Sequence, residues 1–320
     1  VPEDQEPLLS AANLHLSHGF FDISFDLRPH EVLGITGLLG SGREELGQAL
    51  FGHLPPDKGD VLLEGEKINV ESIEAVKAQA VAARTYTYHK IAVRAAQAYD
   101  VVSTVADQVY GGVDVEAETT TRAVEETEET ILTHGGEPVV AYYHSTCGGQ
   151  TATIEQGWEK PAQPYLRSIS DHDEHDKPYC AQSRYLSWEY RWTTDELEEK
   201  LRRYGQDAAC EGRFEGGLKK LTILSRWPCG RVQRMRIWGR SGHMDACGDK
   251  CRFVLRRNEK NHPILPSARF EFVADRRGVV HVRGSGYGHG VGMCQMGALG
   301  RAAAGQSCEQ ILRAYYAGIE

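Results

Sequence analysis

The first 65 residues carry the hydrophobic patterns of strands packed around one helix. Residues 22–27, Asp-Ile-Ser-Phe-Asp-Leu, alternate between polar and apolar, which predicts a strand with one buried face. Residues 31–37 are more continuously apolar and predict a buried strand that enters a Gly-rich turn. A helix should follow this turn and end near Phe51 and Gly52. Together these patterns predict a partial α/β fragment over residues 1–65.

A different pattern begins near residue 72. Residues 75–86 are rich in alanine, and their apolar positions predict a helix with a broad buried surface. Ser72 is the expected N-cap of this helix, and Glu74 in the first turn complements the helix dipole. Residues 119–130 are acidic and helix-prone, which predicts a solvated helix.

The rest of the chain predicts short strands and two further helices. We expect a hairpin over 131–143, with its turn at Gly135-Gly136, followed by an irregular connection over 158–185. A helix over 192–201, short alternating strands over 218–283 and an amphipathic helix over 308–316 should complete the chain. The expected N-cap of the helix over 192–201 is Thr194 or Asp195.

Composition and charge narrow the classes of function. Hydrophobic residues make up 41% of the 320, and 36 Lys and Arg against 45 Asp and Glu give a net charge of −9, which argues against a nucleic-acid binder. Residues 181–260 are locally basic, with 18 Lys and Arg against 11 Asp and Glu, as in a solvated face or a surface for an anionic polymer. No apolar run is long enough to predict a membrane span. The N-terminus is acidic and lacks the pattern of a signal peptide.

Residues 284–298 hold the densest candidate chemistry. Glycine occupies every second position from Gly284 to Gly292, which permits unusual backbone conformations and close approach to a neighbour. The polar side chains in this glycine-rich stretch include Tyr287, His289 and Gln295. The stretch is either a Gly-rich bend with a structural histidine or part of a site.

Three motifs together resemble the stage II sporulation protein D (SpoIID) family of cell-wall lytic transglycosylases. They are the alanine-rich helix at 75–86, the sequence Tyr-His-Ser-Thr-Cys-Gly-Gly at 143–149, and the Gly-rich stretch at 284–298, in the order of that family. The resemblance covers about residues 66–320. It implies an α+β fold, a two-lobed mixed domain of helices and sheets, preceded by the partial α/β fragment. It also implies a cell-envelope location and cleavage of peptidoglycan glycan strands between MurNAc and GlcNAc, with a 1,6-anhydro product.

The resemblance also implies site residues. The essential glutamate of the family precedes the helix lysine by about eleven residues, and the same step back from Lys77 reaches Glu66. Glu66 is therefore the expected catalytic residue, unless it belongs to the preceding fragment and falls there by accident. Residues 107–112 resemble a family strand that approaches the substrate. The expected substrate-binding residues are Gln108, Tyr110, His144, Ser145, Tyr287, His289 and Gln295, while Gln79 and Arg84 are orienting or merely structural.

Three interpretations of the cysteines near these motifs are possible. Some members of the family bind zinc near the cleft, and His144, Cys147, Cys180 and Cys294 are the zinc ligands we expect here. The alternative for this group is a disulfide between Cys147 and Cys180. A cysteine hydrolase that pairs Cys147 with His144, or Cys294 with His289, is a further alternative.

Two further cysteines lie close together in the sequence. Cys247 and Cys251, four residues apart, are expected to form a disulfide or to remain free thiols, with a second metal site as the weaker alternative.

Residues 1–65 resemble the second nucleotide-binding half of sugar-import ABC ATPases. The loop contains Gly37, Gly40 and Gly42, but Arg43 and Glu44 replace the lysine and the Ser/Thr of a phosphate-binding loop. The later motifs of an ABC domain do not follow. We therefore expect no functional nucleotide site and no ATP binding, and we interpret the sequence as a fusion. The alternative functions are an inactive glycan-binding or misassembled fusion protein and a remnant of a transporter subunit.

Overall fold

The chain forms two compact units. The structure is a computed structural model that describes residues 6–17, 19–38, 40–50, 56–63, 65–67, 73–113, 116–257, 263–273 and 278–320, with the backbone alone at Glu66, Lys67 and Glu118. Unit 1 comprises Val1–Lys77 and Gly112–Glu126, and unit 2 comprises Ala78–Gly111 and Thr127–Glu320. Within the described residues the structure mixes helices with several small sheets, as an α+β protein does.

Unit 1 contains an antiparallel four-stranded sheet in the order β2-β1-β3-β4. Its strands are β1 (Leu9–His15), β2 (Ile23–Leu27), β3 (Lys58–Leu63) and β4 (Glu66–Lys67). The helices α1 (Arg43–Leu50) and α3 (Glu118–Glu125) also belong to this unit. Apolar side chains of β1, α1 and β3, among them Leu14, Leu46 and Val61, form its core.

The predictions for residues 1–65 are partly confirmed. The strand at 22–27 and the helix of α1 are present, whereas Phe51 and Gly52 lie outside the described residues. The buried strand predicted at 31–37 is wrong, because these residues have no regular structure and Val32 is 95% exposed. A strand that is apolar on both faces needs neighbours on both sides, and no described strand pairs with this segment.

Helix α2 (Ile73–Val93) confirms the alanine-rich helix and extends beyond it at both ends. Ala75, Ala78 and Ala82 are buried, so small side chains allow close packing along one side. The predicted cap Ser72 lies outside the described residues. The division between the two units falls within this helix, after Lys77.

Among the described residues, unit 2 holds four groups of strands and most of the helices. The strands are β5 (Thr133–His134), β6 (Glu137–Pro138), β7 (Tyr143–His144), β8 (Trp188–Thr193), β9 (Glu211–Gly212), β10 (Glu215–Arg226), β11 (Val232–Ser241), β12 (His243–Cys247), β13 (Phe270–Val273), β14 (Val279–Gly284) and β15 (Met293–Cys294). The helices are α4 (Ile154–Trp158), α5 (Thr194–Lys200), α6 (Gln206–Ala208), α7 (Cys251–Val254), α8 (Gln295–Ala303) and α9 (Cys308–Tyr315), with a π-helical turn at Leu201–Gly205 and a 3₁₀ turn at Gly248–Lys250.

The main core of unit 2 lies around two antiparallel sheets. One sheet has the order β10-β11-β12-β9 and the other has the order β13-β14-β8. Trp192 of β8, Ile237 of β11 and Val282 of β14 are buried in one hydrophobic cluster. Two small pairs complete the unit, the hairpin β5-β6 and the parallel pair β15-β7.

Most element predictions for this part of the chain are confirmed. The hairpin at 131–143, the irregular connection, the strands from 218 and the last helix are all present. The cap of α5 is wrong by one residue, since Thr193 is the N-cap and its hydroxyl accepts from the Glu196 amide. The strand predicted at 107–112 is also wrong, because residues 101–113 have no strand. None of the described helices is both long and apolar enough to cross a membrane.

Candidate active site

Unit 2 contains a cleft of about 740 Å³, a volume suited to a small ligand. Its walls come from α2, from the loop at residues 105–109, from β7 and the residues after it, and from the Gly-rich stretch that leads into α8. The lining residues used below are Gln79, Asp107, Gln108, Tyr143, His144, Ser145, Trp158, Asp249, Arg252, Tyr287, His289 and Gln295. The structure therefore brings the three motifs of the sequence into one site.

The alternating glycines let the Gly-rich stretch lie directly against the segment that contains β7. Gly288 has φ +104°, and a β-carbon there would lie 2.9 Å from Cβ of His144. The Tyr287 amide donates to the Thr146 carbonyl (2.8 Å), and the Thr146 amide donates back to the Tyr287 carbonyl (3.0 Å). Because only glycine tolerates both the backbone conformation and the contact, this spacing holds the polar side chains of the two motifs together.

Two neutral imidazoles form the base of the cleft. His289 donates from Nε2 to the Tyr143 carbonyl (3.0 Å), and its Nδ1 accepts from the Val291 amide (3.1 Å). Burial lowers the pKa of His289 to about 3, and burial also lowers the pKa of His144 well below its ordinary value. Nδ1 of His144 lies 3.3 Å from the Val291 carbonyl, while its buried Nε2 has no partner among the described residues. With Nδ1 donating to that carbonyl, Nε2 of His144 is left as a buried acceptor.

Amides and hydroxyls line the cleft above the imidazoles. Tyr143 donates to Oε1 of Gln108 (2.6 Å), and Nε2 of Gln108 donates to the Thr87 hydroxyl (2.7 Å) and to the Ala83 carbonyl (3.2 Å). Nε2 of Gln295 donates to Oε1 of Gln79 (3.2 Å). Burial raises the pKa of Tyr143 to about 12, so the phenol stays protonated at neutral pH. These groups offer neutral donors and acceptors held in fixed positions.

Aromatic rings flank the polar groups. Trp158 packs against His289 with ring centroids 4.4 Å apart, and Tyr287 packs against Tyr185 at the same distance. Trp158 and Tyr143 were not predicted as site residues. Tyr143 sits within the motif at 143–149, and its place immediately before His144 was the signal that could have identified it.

Among the residues that the structure describes, two carboxylates line the cleft, and both are paired with cations. Asp107 is a half-buried residue whose carboxylate is shielded from solvent, and it accepts from Arg94 (2.6 Å), from the Tyr86 hydroxyl (3.0 Å) and from the Val102 amide (3.0 Å). The bond from Arg94 is the main reason why the pKa of Asp107 lies well below its ordinary value. Asp249 accepts from Nη1 of Arg252 at 3.1 and 3.0 Å. The hydrogen bonds from Arg94 and Tyr86 to Asp107 hold this loop beside the C-terminal part of α2.

The predicted substrate-binding residues mostly meet in this cleft. Gln108, His144, Ser145, Tyr287, His289 and Gln295 all line it. Tyr110 is 56% exposed and is not among the lining residues. Arg84 donates to the Thr127 and Thr130 carbonyls (2.7 and 2.9 Å), as expected for a structural residue. The side chain of Glu66 lies outside the described residues, and its backbone belongs to β4 of unit 1.

The predicted zinc ligands separate into two groups. Cys147, Cys180 and Cys294 are buried with their sulfur atoms within 4.8 Å of one another, and His144 is not part of the group. The inclusion of His144 is corrected here, because its ring faces the Val291 carbonyl and His289 in the cleft. Cys147 and Cys180 are free thiols with sulfur atoms 3.6 Å apart, so the structure shows no disulfide between them.

Two other cysteine predictions change. Cys247 forms its disulfide with Cys210 rather than with Cys251, whose thiol is free and donates to the Ala246 carbonyl. The cysteine hydrolase gains no support, because Cys147 is fully buried and its sulfur contacts Asp171 and Cys180. The Cys180 bond raises the pKa of Cys147 well above its ordinary value, which opposes a nucleophilic thiolate at Cys147.

The degenerate loop of unit 1 carries its own internal contacts. Arg43 lies 3.4 Å from the Gly37 carbonyl and 3.5 Å from the Glu44 carboxylate. Gly40 and Gly42 have positive φ values, and a side chain at Gly42 would clash with the Gly19 carbonyl. The guanidinium of Arg43 thus contacts protein oxygens at the position where a phosphate-binding lysine would lie.

Comparison with known proteins supports two origins within the chain. Residues 62–134 match the SpoIID family, described as stage II sporulation protein, and residues 179–292 match a domain of unknown function (DUF8618). The SpoIID match therefore concerns one segment of the chain, which contains helix α2. The matched segment covers less than a quarter of the chain.

The chain is similar to proteins of two kinds. An uncharacterized protein of Brachyspira hyodysenteriae is 30% identical over 249 residues, 78% of this chain and 61% of the relative. Putative ribose/galactose/methyl galactoside import ATP-binding proteins of Ralstonia nicotianae and Pseudomonas savastanoi pv. phaseolicola are 46% and 47% identical over 65 and 73 residues. Those matches cover 20% and 22% of this chain but only 12% and 14% of the relatives. The chain therefore contains a short segment similar to ABC ATP-binding proteins.

Proposed function

We propose that this chain is a lytic transglycosylase that cleaves peptidoglycan glycan strands between MurNAc and GlcNAc in the cell envelope. The observation that carries the proposal is the convergence of three separate motifs on one cleft of unit 2. The SpoIID match over residues 62–134 supports the same activity. The product would carry a 1,6-anhydro ring, because the C6 hydroxyl of the sugar replaces water as the nucleophile.

The chemistry of the cleft suits a carbohydrate. Its neutral amides and hydroxyls, on Gln79, Gln108, Tyr143 and Gln295, can bond sugar hydroxyl groups without the desolvation cost of a charge. The rings of Trp158 and Tyr287 offer apolar surface for sugar faces. This combination of apolar walls and a few fixed polar groups is typical of a small-ligand site.

The reaction can use a single carboxyl group. An acid protonates the leaving glycosidic oxygen, and the resulting carboxylate then accepts the proton of the attacking C6 hydroxyl. Among the described residues that line the cleft, Asp107 and Asp249 are the carboxylates, and each is ion-paired with an arginine. The bond from Arg94 lowers the pKa of Asp107, which makes it a poor proton donor. We propose Glu66 as the acid and base, on the basis of its position before Lys77 in the sequence alone.

Mass spectrometry of digested, purified glycan strands tests this assignment. Glu66→Gln keeps the size of the side chain but cannot transfer the proton, so turnover should fall by roughly 10²–10⁴-fold while glycan binding persists. Glu64→Gln and Glu71→Gln control for loss of a nearby charge and should be nearly silent. Wild-type activity in Glu66→Gln would show that the assignment is wrong.

A second candidate function is glycan binding without turnover. The observation in its favour is the pairing of Glu66 with Leu63 between β4 and β3, which places Glu66 in the same sheet as the first strands of unit 1. If Glu66 belongs to the ABC-like segment, the chain would lack its acid. Co-sedimentation with purified peptidoglycan, without 1,6-anhydro product from the wild-type chain, would establish the binder.

A further inference from the structure

A second cavity of unit 2, the arginine pocket, has a volume of about 440 Å³. The polar side chains that line it belong to Ser187, Arg226, Arg269, Glu271, Arg283 and Ser285. They come from the end of β10, from β13 and β14, and from the segments beside these strands. Ser187 and Glu271 are exposed, so the pocket is open to solvent. Among the described residues, none lines both the arginine pocket and the cleft, so the pocket is a separate candidate site.

Two guanidinium groups of the pocket are held by backbone carbonyls instead of by carboxylates. Arg226 donates from Nη1 to the Gly230 carbonyl (2.9 Å) and from Nη2 to the Phe270 carbonyl (2.7 Å). Nη1 of Arg269 donates to the Gly148 carbonyl. Neither guanidinium forms an ion pair with a carboxylate of the described residues. The carbonyls fix the orientation of both groups but leave their positive charges without a counter-ion.

The two arginines lie close enough to repel each other. The pKa of Arg226 is lowered from its ordinary value, first by partial burial and also by the charge of Arg269, while Glu271 acts in the opposite direction. Gly230 lies between the two side chains with φ +82°, and a β-carbon there would lie 3.2 Å from Nε of Arg269. The glycine therefore leaves room for the second guanidinium. An anionic group bound between the two cations would offset their repulsion.

The remaining charges of the pocket do not neutralise these two arginines. Nε of Arg283 donates to Oε1 of Glu189 (2.8 Å), so Arg283 already has its counter-ion. Glu271 lies opposite Arg283 in the β13-β14 register, but it forms no ion pair with a cation of the described residues. The hydroxyls of Ser187 and Ser285 likewise have no hydrogen-bond partner within the described part of the chain. The pocket therefore offers unpaired charges of both signs and two free hydroxyls.

We propose that the arginine pocket binds an α-amino-acid group, with its carboxylate on Arg226 and Arg269 and its ammonium on Glu271. Guanidinium groups bind carboxylates through directed, charge-assisted hydrogen bonds. A ligand with a carboxylate alone would leave Glu271 unpaired, and a doubly charged phosphate would be repelled by it more strongly. A ligand that carries both charges satisfies all three side chains. The proposal does not depend on glycan cleavage, because the pocket and the cleft share no lining residue.

NMR titration of the full chain, labelled with nitrogen-15, tests the proposal with four probes. Free glycine carries both charges, acetate and methylamine carry one each, and inorganic phosphate is the competing anion. We expect free glycine to shift the side-chain Nε–Hε signals of Arg226 and Arg269 saturably at millimolar concentration. It should bind at least about tenfold more tightly than the other three probes, because a further hydrogen bond to a charged group contributes a factor of that size. No saturable shift with free glycine, or tighter binding of phosphate, would overturn the proposal.

Three variants assign the two charges of the ligand. Arg226→Gln and Arg269→Gln should each weaken the binding of free glycine by about tenfold or more, whereas Arg240→Gln, at an exposed arginine outside the pocket, should not. Glu271→Gln changes an exposed side chain without an ion pair, so it should fold normally and reduce the affinity for free glycine to that for acetate. An unchanged preference for free glycine in Glu271→Gln would overturn the proposal. None of these readouts requires enzyme activity, so their failure is distinct from failure of the proposed function.

Discussion

At the scale of single residues, the neutral imidazoles of His144 and His289 connect the cleft to the pH dependence of stability. Burial holds the pKa of His289 at about 3, whereas an unfolded histidine titrates near 6.5. Below pH 6.5 the unfolded chain therefore binds more protons at this histidine than the folded chain does. The free energy of unfolding is at its full value above that pH and decreases as the pH falls toward 3.

The slope of stability against pH gives the first prediction. Below pH 6.5 the buried His289 should remove up to about 1.4 kcal/mol of unfolding free energy per pH unit. Urea unfolding of the wild-type chain and of His289→Gln between pH 5 and 8 measures this slope. The variant is expected to be less stable at pH 8 but to show the shallower slope, and equal slopes would contradict the assignment.

Gly288 provides the second prediction. Both Gly288 and Gly305 have positive φ, but a β-carbon meets His144 at Gly288 and open space at Gly305. Gly305→Ala should cost about 1 kcal/mol for the left-handed backbone alone. Gly288→Ala should cost roughly 1–3 kcal/mol more through overpacking, and it should also lower turnover by displacing His144. Equal unfolding free energies for the two variants would show that the close approach is unimportant.

The sequence identified these residues only in part. Gln108, Ser145, Tyr287 and Gln295 were expected as substrate-binding residues from the family resemblance, and all four line the cleft. Arg252 was missed, since its ion pair with Asp249 depends on a turn that brings residues three apart together. Separation of His144 from the cysteines was likewise not predictable, because side-chain direction at the end of β7 depends on packing with the Gly-rich stretch.

At the scale of elements, the loop over residues 101–113 depends on one carboxylate. Asp107 accepts hydrogen bonds from α2, through Arg94 just beyond its end and Tyr86 within it, and from the Val102 amide. The same loop supplies Gln108 to the cleft. A segment rich in exposed apolar residues, such as Val105 and Val109, is thus fixed by polar contacts rather than by a core.

Asp107→Asn is the third prediction. Removing the charge leaves Arg94 and the Val102 amide with a weaker acceptor, so it should lower the free energy of unfolding of unit 2 and should expose the loop to proteolysis. Because the pKa of Asp107 is lowered in the folded chain, the stabilisation is present above pH 4 and is lost as the pH falls further. Asp100→Asn, an exposed neighbour in the same loop region, is the control and should leave the unfolding free energy unchanged. Equal urea midpoints for the two variants would contradict the prediction.

Periodicity predicted helices better than strands here. Helix α2 is long and rich in strong helix formers, so its local preference agrees with its packing. The strands expected at 31–37 and 107–112 had suitable residues, but a strand also needs a partner, and the partner is a property of the whole sheet.

At the scale of the whole molecule, the ABC-like segment raises the question of ATP. The relatives that match it are matched over 12% and 14% of their own length, so most of a nucleotide-binding domain has no counterpart in the match. In unit 1, Glu44 follows Arg43 in the loop that corresponds to a phosphate-binding loop. Glu44 occupies the position of the usual Ser/Thr, and its carboxylate would repel a phosphate.

The fourth prediction is that the chain binds no ATP at micromolar concentration. A phosphate-binding loop needs its lysine, its Ser/Thr for Mg²⁺ and the motifs that complete the site from later parts of the domain. Titration of the full chain with ATP and Mg²⁺ by calorimetry should therefore give no heat of binding. The double variant Arg43→Lys with Glu44→Ser restores the loop alone and should remain inactive, because the later motifs are still missing. Binding by this variant but not by the wild-type chain would show that the loop alone had been lost. Binding by the wild-type chain that Gly42→Asp abolishes would show that the segment is a working nucleotide site and that its resemblance to transporters extends to function.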